Sequence, residues 1–476
     1  MDINSKINLN ENYKRTKIIA TIGPSTNSYD AIYRLIKAGA NGLRLNFSHG
    51  THQEKEQQIN WIREASKELK KPVSIIQDLQ GPKIRLGDFN GVIELSKNQV
   101  VVLGVNGDYL KDHVIPIQFD LTKKLKRGDR LFIFDGRVKG IVQSVKEKLI
   151  YLKIENGGQI LSRKGINLPD TDLGSEVITS KDRADLVFGS IHDIDYVAQS
   201  FVQNVDNVRS LKKILTSLNS RAKVIVKFET KMATLNIPEI ISEADGAMVA
   251  RGDLAYEVLP EAVPKLQKDI VKEAIKQSKP VIIATQMLFS MTTSESPTRA
   301  EVSDIANAVY ERVDCLMLSD ETASGNHPIE AVKLMKRVII YTEKAIKNDF
   351  KEQTYQEEDV RAAISISVVK LASQIHAKAI VAETKSGATA RNISSKRTFI
   401  PIIAVTNDIT TANSLAIVYG VKSYLRPAEK YAATKLTNWL KLNNILNKGD
   451  LVVSASGKYP GVVGTTDTIK VRLIED

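Results

Sequence analysis

Lys227 and Glu229 stand two apart in the apolar stretch "KVIVKFE" (223–229). In an extended strand that spacing puts both side chains on one face. An ion pair there is a poor stabiliser, because desolvation offsets most of the attraction, so the pair points to chemistry. A second carboxylate, Asp253, follows the next apolar stretch. Together Glu229 and Asp253 make a sparse oxygen shell that leaves room for water and phosphate, as Mg²⁺ or Mn²⁺ prefers. Arg44, Arg85, Lys164 and Lys227 are cations suited to phosphate oxygens. Asn46, Ser48, Asp78, Thr285, Ser319 and Glu321 stand at or just beyond the ends of other apolar runs. The stretch "QDLQGPKIR" (77–85) raises its own question, since it sets Lys83 just beyond Asp78. Taken alone, such a turn lysine reads as a solvated charge.

Elements must bring these residues together. Short apolar runs recur at 17–23, 42–48, 73–78, 196–201, 223–229, 246–251, 281–285 and 315–319. Helical periodicity follows most of them, at 29–38, 52–69, 180–192, 206–218, 259–277, 297–310 and 328–346. The alternation implies parallel strands with crossover helices, and eight such units predict a closed (β/α)8 barrel with its chemistry at the strands' carboxyl ends. Residues 86–166 break the pattern with short alternating runs such as "DRLFIFDG" and "LIYLKI", as expected for an inserted small β-barrel lid domain. The expected division is 1–85 for the first part of the barrel (1–13 being an N-terminal extension), 86–166 for the lid, 167–346 for the rest of the barrel, and 347–476 for an open α/β domain. The charged stretch 347–361 is the expected joint. Within the last domain "TKSGATA" (384–390) runs from strand to helix, and Thr384, Lys385, Ser386, Gly387 and Thr389 offer hydroxyls and amides suited to a phosphate. An ordinary glycine-containing turn is the alternative.

With 476 residues, 42% of them apolar, the chain can build two or three cored domains. Its single cysteine, Cys315, excludes an intrachain disulfide and fits a reducing, cytoplasmic setting. The first sixteen residues lack a signal peptide's apolar core, and no apolar run approaches ~18 residues, so no membrane segment is expected. The net charge of +12 suits either nucleic acid or highly anionic ligands. Dispersed basic residues, 6% aromatics and no zinc-finger or RNA-recognition pattern weigh against nucleic acid.

The motifs "TIGP" (21–24), "RLNFSHG" (44–50), "GPKIR" (81–85), "KGINLP" (164–169), "KFE" (227–229), "ARGDL" (250–254), "ATQML" (284–288), "PTRAE" (297–301) and "MLSDETASG" (317–325), in this order, closely resemble the pyruvate kinases. That resemblance implies transfer of a phosphoryl group from phosphoenolpyruvate to ADP, followed by protonation of enolpyruvate to pyruvate. It implies that Arg44 holds the phosphate, that Glu229 and Asp253 bind the divalent ion, and that Lys227 faces the phosphoryl group in transit. The Gly252 amide and Thr285 hydroxyl would touch substrate, with Thr285, Ser319, Glu321 and water relaying a proton. Asn46, Arg85, Lys164 and His49 would address the nucleotide.

Many family members bind K⁺ through residues matching Asn46, Ser48, Asp78 and position 79, and carry Glu where this chain has Lys83. Leu79 offers only its carbonyl, and "GPKIR" resembles the K⁺-independent bacterial-type branch, so K⁺ is not expected to be required and Lys83 becomes the replacement cation. The C-terminal domain resembles the family's allosteric domain. A second wall of the phosphate site would come from "VVGTTDT" (462–468), and the short 426–447 connection favours a sugar monophosphate or AMP as effector. A homotetramer is implied. Phe228, Phe289 and Asp320 depart from the family pattern, and Asp320 adds charge beside the relay. A metal-dependent aldolase acting on pyruvate enolates would use the same barrel and the Glu229/Asp253 pair. It would not need the phosphate-facing cations or the lid.

Overall fold

The computed structural model describes residues 13–105, 107–134, 136–171, 177–346, 360–426, 432–443, 445–457 and 466–475. Eight strands close a parallel barrel: β1 (Lys17–Ile22), β2 (Gly42–Asn46), β3 (Ser74–Asp78), β4 (Tyr196–Gln199), β5 (Lys223–Phe228), β6 (Gly246–Ala250), β7 (Val281–Ala284) and β8 (Cys315–Leu318). Each pairs with its neighbour in sequence, and β8 closes on β1 with Lys17 opposite Cys315. These strands read as continuous apolar runs because both faces are covered. One face meets the surrounding helices. The other fills the barrel with Ile19, Ile76, Tyr196, Ile225, Met248, Ile282 and Met317.

Several crossover helices start at side-chain caps that the sequence spells out. Thr51 with Glu54, Thr179 with Asp182 and Thr298 with Glu301 form reciprocal capping boxes ahead of His52–Glu68, Ser180–Ile191 and Arg299–Tyr310. Several short helices have no counterpart in the periodicity reading, two of them in the barrel's crossovers. Ile237–Glu243 and Arg251–Glu257 span seven residues each, too few for a 3.6-residue repeat to show. The second leaves β6 without a loop, which carries Gly252 and Asp253 directly onto the rim.

Between β3 and its helix lies a β domain with its own apolar core. A six-stranded sheet runs in the order Ile166–Asn167, Arg130–Ile133, Val138–Lys146, Leu149–Ile154, Val100–Gly104 and Val114–Pro116, beside a ribbon of Val92–Leu95 and Gly158–Leu161. Its outgoing and returning chains pair at the base through Arg85 and Gly165. Asp170 accepts from Arg130 at 2.7 Å and from Lys231 of the barrel at 2.9 Å, tying the insertion to the loop after β5.

The C-terminal sheet runs Val421–Leu425, Ile402–Thr406, Ala379–Glu383, Leu451–Gly457 and Thr466–Leu473, the last strand antiparallel. This domain sits under the amino ends of the barrel strands. Ile417 joins the barrel's interior core, the Tyr196 hydroxyl donates to the Ser414 carbonyl at 2.9 Å, and a Cβ on Gly42 would fall 2.9 Å from Ile417. Only glycine lets the two domains approach that closely. The charged stretch read as a joint falls almost entirely at 347–359, outside the described residues. Among the described residues no helix is long and apolar enough to cross a membrane.

Candidate active site

The strand register decides which side chains meet. Asn46 pairs with Asp78 across β2 and β3, so Arg44, two residues back on the same face, reaches the Asp78 carboxylate, with Nε to Oδ2 at 2.6 Å. Lys227 enters from β5 with Nζ 3.4 Å from Asp78 Oδ1 and 3.1 Å from Glu229 Oε2. Its ammonium donates to the Ser200 hydroxyl at 2.7 Å, which in turn donates to the Leu79 carbonyl at 2.7 Å. Burial pushes the Lys227 ammonium toward losing its proton, but Asp78, Glu229 and Asp253 outweigh burial and hold it well above an ordinary lysine. Burial raises Asp78 too, and there Lys227 and Arg44 win, leaving it below the usual carboxylate range. Glu229 keeps a raised pKa, from burial first, because Asp253 and Asp78 oppose the benefit of Lys227.

Glu229 uses one oxygen to accept the Phe201 amide at 2.6 Å, while Oε2 is buried without a hydrogen bond. That oxygen faces the Lys227 ammonium at 3.1 Å and stands near a second carboxylate, Asp253, a pair of donors that fits a divalent cation taking its remaining ligands from water and substrate. No cluster of three or more His, Cys, Asp or Glu able to hold a metal occurs among the described residues. A two-carboxylate set is the donor set the sequence offers.

Across the rim, the Gly252 amide donates to Thr285 Oγ1 at 2.8 Å, so these two groups meet. Thr285 and Gln286 both adopt positive φ, +71° and +54°, a strained conformation for a β-branched threonine. Arg251 holds this turn by donating to the Thr285 carbonyl at 2.9 Å and pairing with Asp304 at 2.7 Å. Glu321 is fully buried, and its oxygens accept the Leu288 amide at 2.9 Å and the Ser319 amide at 2.7 Å. It therefore links the loops after β7 and β8. Asp320 is exposed, and Phe228 packs on the barrel's outer face, away from the charged cluster.

Arg85 and Lys83 stand near the turn after β2, where both act on His49. Asn46 Oδ1 accepts the Ser48 amide at 3.0 Å. Arg85 donates to the Arg163 carbonyl at 3.1 Å, and the Lys164 ammonium lies 4.5 Å from the centre of the Phe134 ring. Lys83 makes no side-chain hydrogen bond or ion pair among the described residues, and its stem passes 3.4 Å from where a Cβ on Gly165 would stand. His49 is exposed, yet burial followed by Arg85, Lys55, Lys83 and Arg44 holds its imidazole below the ordinary value. Ser200, Thr21 and Arg251 escape a sequence reading. Thr21 Oγ1 accepts from Arg44 at 3.3 Å, and only the closed barrel brings these three to the rim.

In the C-terminal domain Gly387, at φ +82°, turns the strand Ala379–Glu383 into the helix Ala388–Ser395. Arg391 donates to the Ser386 carbonyl at 3.1 Å, the Thr411 hydroxyl donates to the Lys385 carbonyl at 2.9 Å, and Thr384 and Thr389 are buried. Thr389 shares a hydrogen bond with Thr466 at 2.6 Å, which brings the 466–468 part of the expected second wall to this loop. Residues 458–465 lie outside the described residues.

Comparison with known proteins agrees over both domains. The model of the pyruvate kinase barrel domain matches residues 13–332, and that of the pyruvate kinase alpha/beta domain matches 362–472. A pyruvate kinase of Thermotoga maritima is 38% identical over 467 residues, covering 97% of this chain and 100% of its own. Pyruvate kinase 2 of Synechocystis is 39% identical over 471 residues, covering 97% and 80%. A crystal structure of a pyruvate kinase from Cryptosporidium parvum superposes with a TM-score of 0.89 at 35% identity, covering 97% of this chain and 96% of that one. With this rim of charged residues on this barrel, and matches that run through both domains, the chain belongs to the pyruvate kinase family.

Proposed function

We propose that the chain transfers the phosphoryl group of phosphoenolpyruvate to ADP, giving pyruvate and ATP. The observation that carries this reading is the buried cluster of Arg44, Asp78, Lys227 and Glu229 on the rim that also holds Asp253 and Thr285. It keeps a lysine charged inside a low-dielectric site, where a fixed cation acts most strongly on the charge of a phosphoryl group in transit. Arg44 holds the phosphate. The Gly252 amide, now donating to Thr285 Oγ1, and the Thr285 hydroxyl, now donating to the Ala284 carbonyl, turn these bonds to substrate oxygens. Thr285, Ser319 and water carry the proton to the enolate carbon, and Glu321 acts on that relay by fixing both loops. Glu229 and Asp253 would hold a divalent ion, Mg²⁺ or Mn²⁺, which when bound would neutralise substrate carboxylate and enolate charge. Asn46, Arg85, Lys164 and His49 address the nucleotide, and residues 86–166 exclude water as a lid.

Lys227→Met is expected to lower kcat by about 10²–10³ while largely sparing phosphoenolpyruvate binding, because the ammonium serves transition-state charge. An assay coupling pyruvate to NADH oxidation reads this, and near-normal turnover with only a raised KM would refute it. Lys83, whose ammonium has no competing partner, takes the place of K⁺ beside Asn46, Ser48, Asp78 and the Leu79 carbonyl, as in the K⁺-independent branch. Full activity is expected with tetramethylammonium as the only monovalent cation, and Lys83→Glu is expected to lose activity that K⁺ partly restores. A many-fold rise of wild-type activity on adding K⁺ at constant ionic strength would return Lys83 to a solvated charge. Thr384, Lys385, Ser386, Gly387 and Thr389, in the regulatory domain at 347–476, form the site for a sugar monophosphate or AMP in a cytoplasmic homotetramer. Sedimentation and phosphoenolpyruvate saturation curves with these effectors test the assembly and the regulation.

A further inference from the structure

Lys55 belongs to the first turn of the helix His52–Glu68, where a cation opposes the helix dipole, and its side chain is only 6% exposed. Its helix does not support the charge, and its stem is buried while the nitrogen itself keeps some contact with solvent. Its ammonium makes no hydrogen bond and no ion pair among the described residues. The side chain runs beside Phe47, with Nζ 5.9 Å from the ring centre, and ends 3.5 Å from where a Cβ on Gly50 would stand. It therefore points at the 46–50 turn, which carries Asn46, Ser48 and His49. Burial lowers its pKa first. Glu54 and Asp185 favour its charged form, while Arg44 and Lys181 oppose it. Both carboxylates are already engaged, Glu54 with the Thr51 amide at 2.7 Å, and Asp185 with His52 at 2.8 Å and Lys181 at 2.7 Å.

A lysine whose stem is buried, whose ammonium has no carboxylate partner and whose neighbours are cations is placed to take an anion from a ligand. Arg85, Lys55, Lys83 and Arg44 all act on His49, so four cations lie near one turn. Arg44 alone among them has a carboxylate partner there, Asp78. The surplus positive charge lies at the lid end of the rim, on the turn that bears His49. We propose that Lys55 is a binding cation for the polyphosphate chain of the nucleotide, acting with Lys83 and Arg85. The inference rests on the phosphoryl-transfer reading for the identity of the nucleotide.

Lys55→Met keeps the packing over Phe47 and removes the charge. The half-saturating ADP concentration is expected to rise about tenfold, while kcat and half-saturation by phosphoenolpyruvate stay within about threefold. Calorimetry of ADP alone should show the same loss, and Lys55→Arg should restore affinity. Unchanged ADP affinity in Lys55→Met overturns the proposal. So does an equal loss for both substrates, which would assign Lys55 to the structure of the shared rim. If the Met variant does not fold, Lys55→Gln is read by the same criteria. Should the wild-type chain bind ADP yet form no pyruvate, the reaction assigned above fails, and ADP calorimetry still decides the role of Lys55.

Discussion

Ser200 shows how much a single hydroxyl can organise. It accepts from Lys227, donates to the Leu79 carbonyl, and lies 3.5 Å from Asp78 Oδ1, so it sets the ammonium between two carboxylates. Removing it leaves the Leu79 carbonyl without this donor and lets Lys227 swing toward Asp78 or Glu229. Ser200→Ala is therefore expected to lower kcat about tenfold, a loss typical of a charge-assisted hydrogen bond. Unchanged kcat in the coupled assay would show that the two carboxylates alone hold Lys227. In the sequence Ser200 is one serine at the end of "YVAQSF". Lys227 and Glu229 are legible because charge in an apolar strand is unusual, whereas a strand-end serine is ordinary.

At the scale of elements, the helix Arg251–Glu257 does two jobs. Its start presents Gly252 and Asp253, and its last residue, Glu257, is buried beneath the lid's return chain. Burial pushes the Glu257 carboxyl up to about 7, with hydrogen bonds from the Lys231 amide and Asn167 opposing, and Glu229 and Asp253 adding to the rise. An acid raised in the folded chain holds a proton that the unfolded chain has already lost. Stability therefore falls as pH rises from the ordinary 4.5 toward about 7, and is level beyond. Glu257→Gln should remove that loss, stabilising the metal-free protein by up to about 3 kcal/mol at pH 8 and little at pH 4.5. Thermal midpoints at the two pH values check this, and an equal effect at both would sink it. This helix is seven residues long, too short for periodicity, while the long crossover helices announce themselves through Thr-x-x-Glu caps and apolar stripes.

For the whole molecule, the joint beneath the barrel is the unusual feature. Lys71 is half-buried there, donating to the Ile36 and Ala40 carbonyls at 3.0 and 2.6 Å, and desolvation, then Lys17, Lys336 and Lys422, pull its pKa down to about 7. Lys17, which donates to the Val421 carbonyl of the C-terminal domain, and Lys422 are each lowered to about 8, chiefly by burial. A lysine lowered in the folded chain stays protonated when unfolded, so its penalty fades as pH rises from about 7 toward 10.5. Stability should rise over that window, and Lys71→Met should flatten the rise by about 2 kcal/mol between pH 7 and 9. A midpoint-against-pH slope unchanged in the variant would show that Lys71 is charged and solvated in the native state.

The sequence alone determined the eight barrel strands, the β character of the insertion, and which charged residues stand at the strand ends. Each follows from local rules: apolar runs, capping residues, and charges that have no reason to stand in a strand. Closure of the barrel decided the rest. It set Asp78 between Arg44 and Lys227, brought Ser200 and Thr21 into their network, and turned Glu321 toward two backbone amides. It also left Lys55 mostly buried without an ion-pair partner and drove Ile417 into the barrel's base. Such pairings join residues up to hundreds of positions apart. Their energies depend on distance and dielectric, which only the folded chain defines.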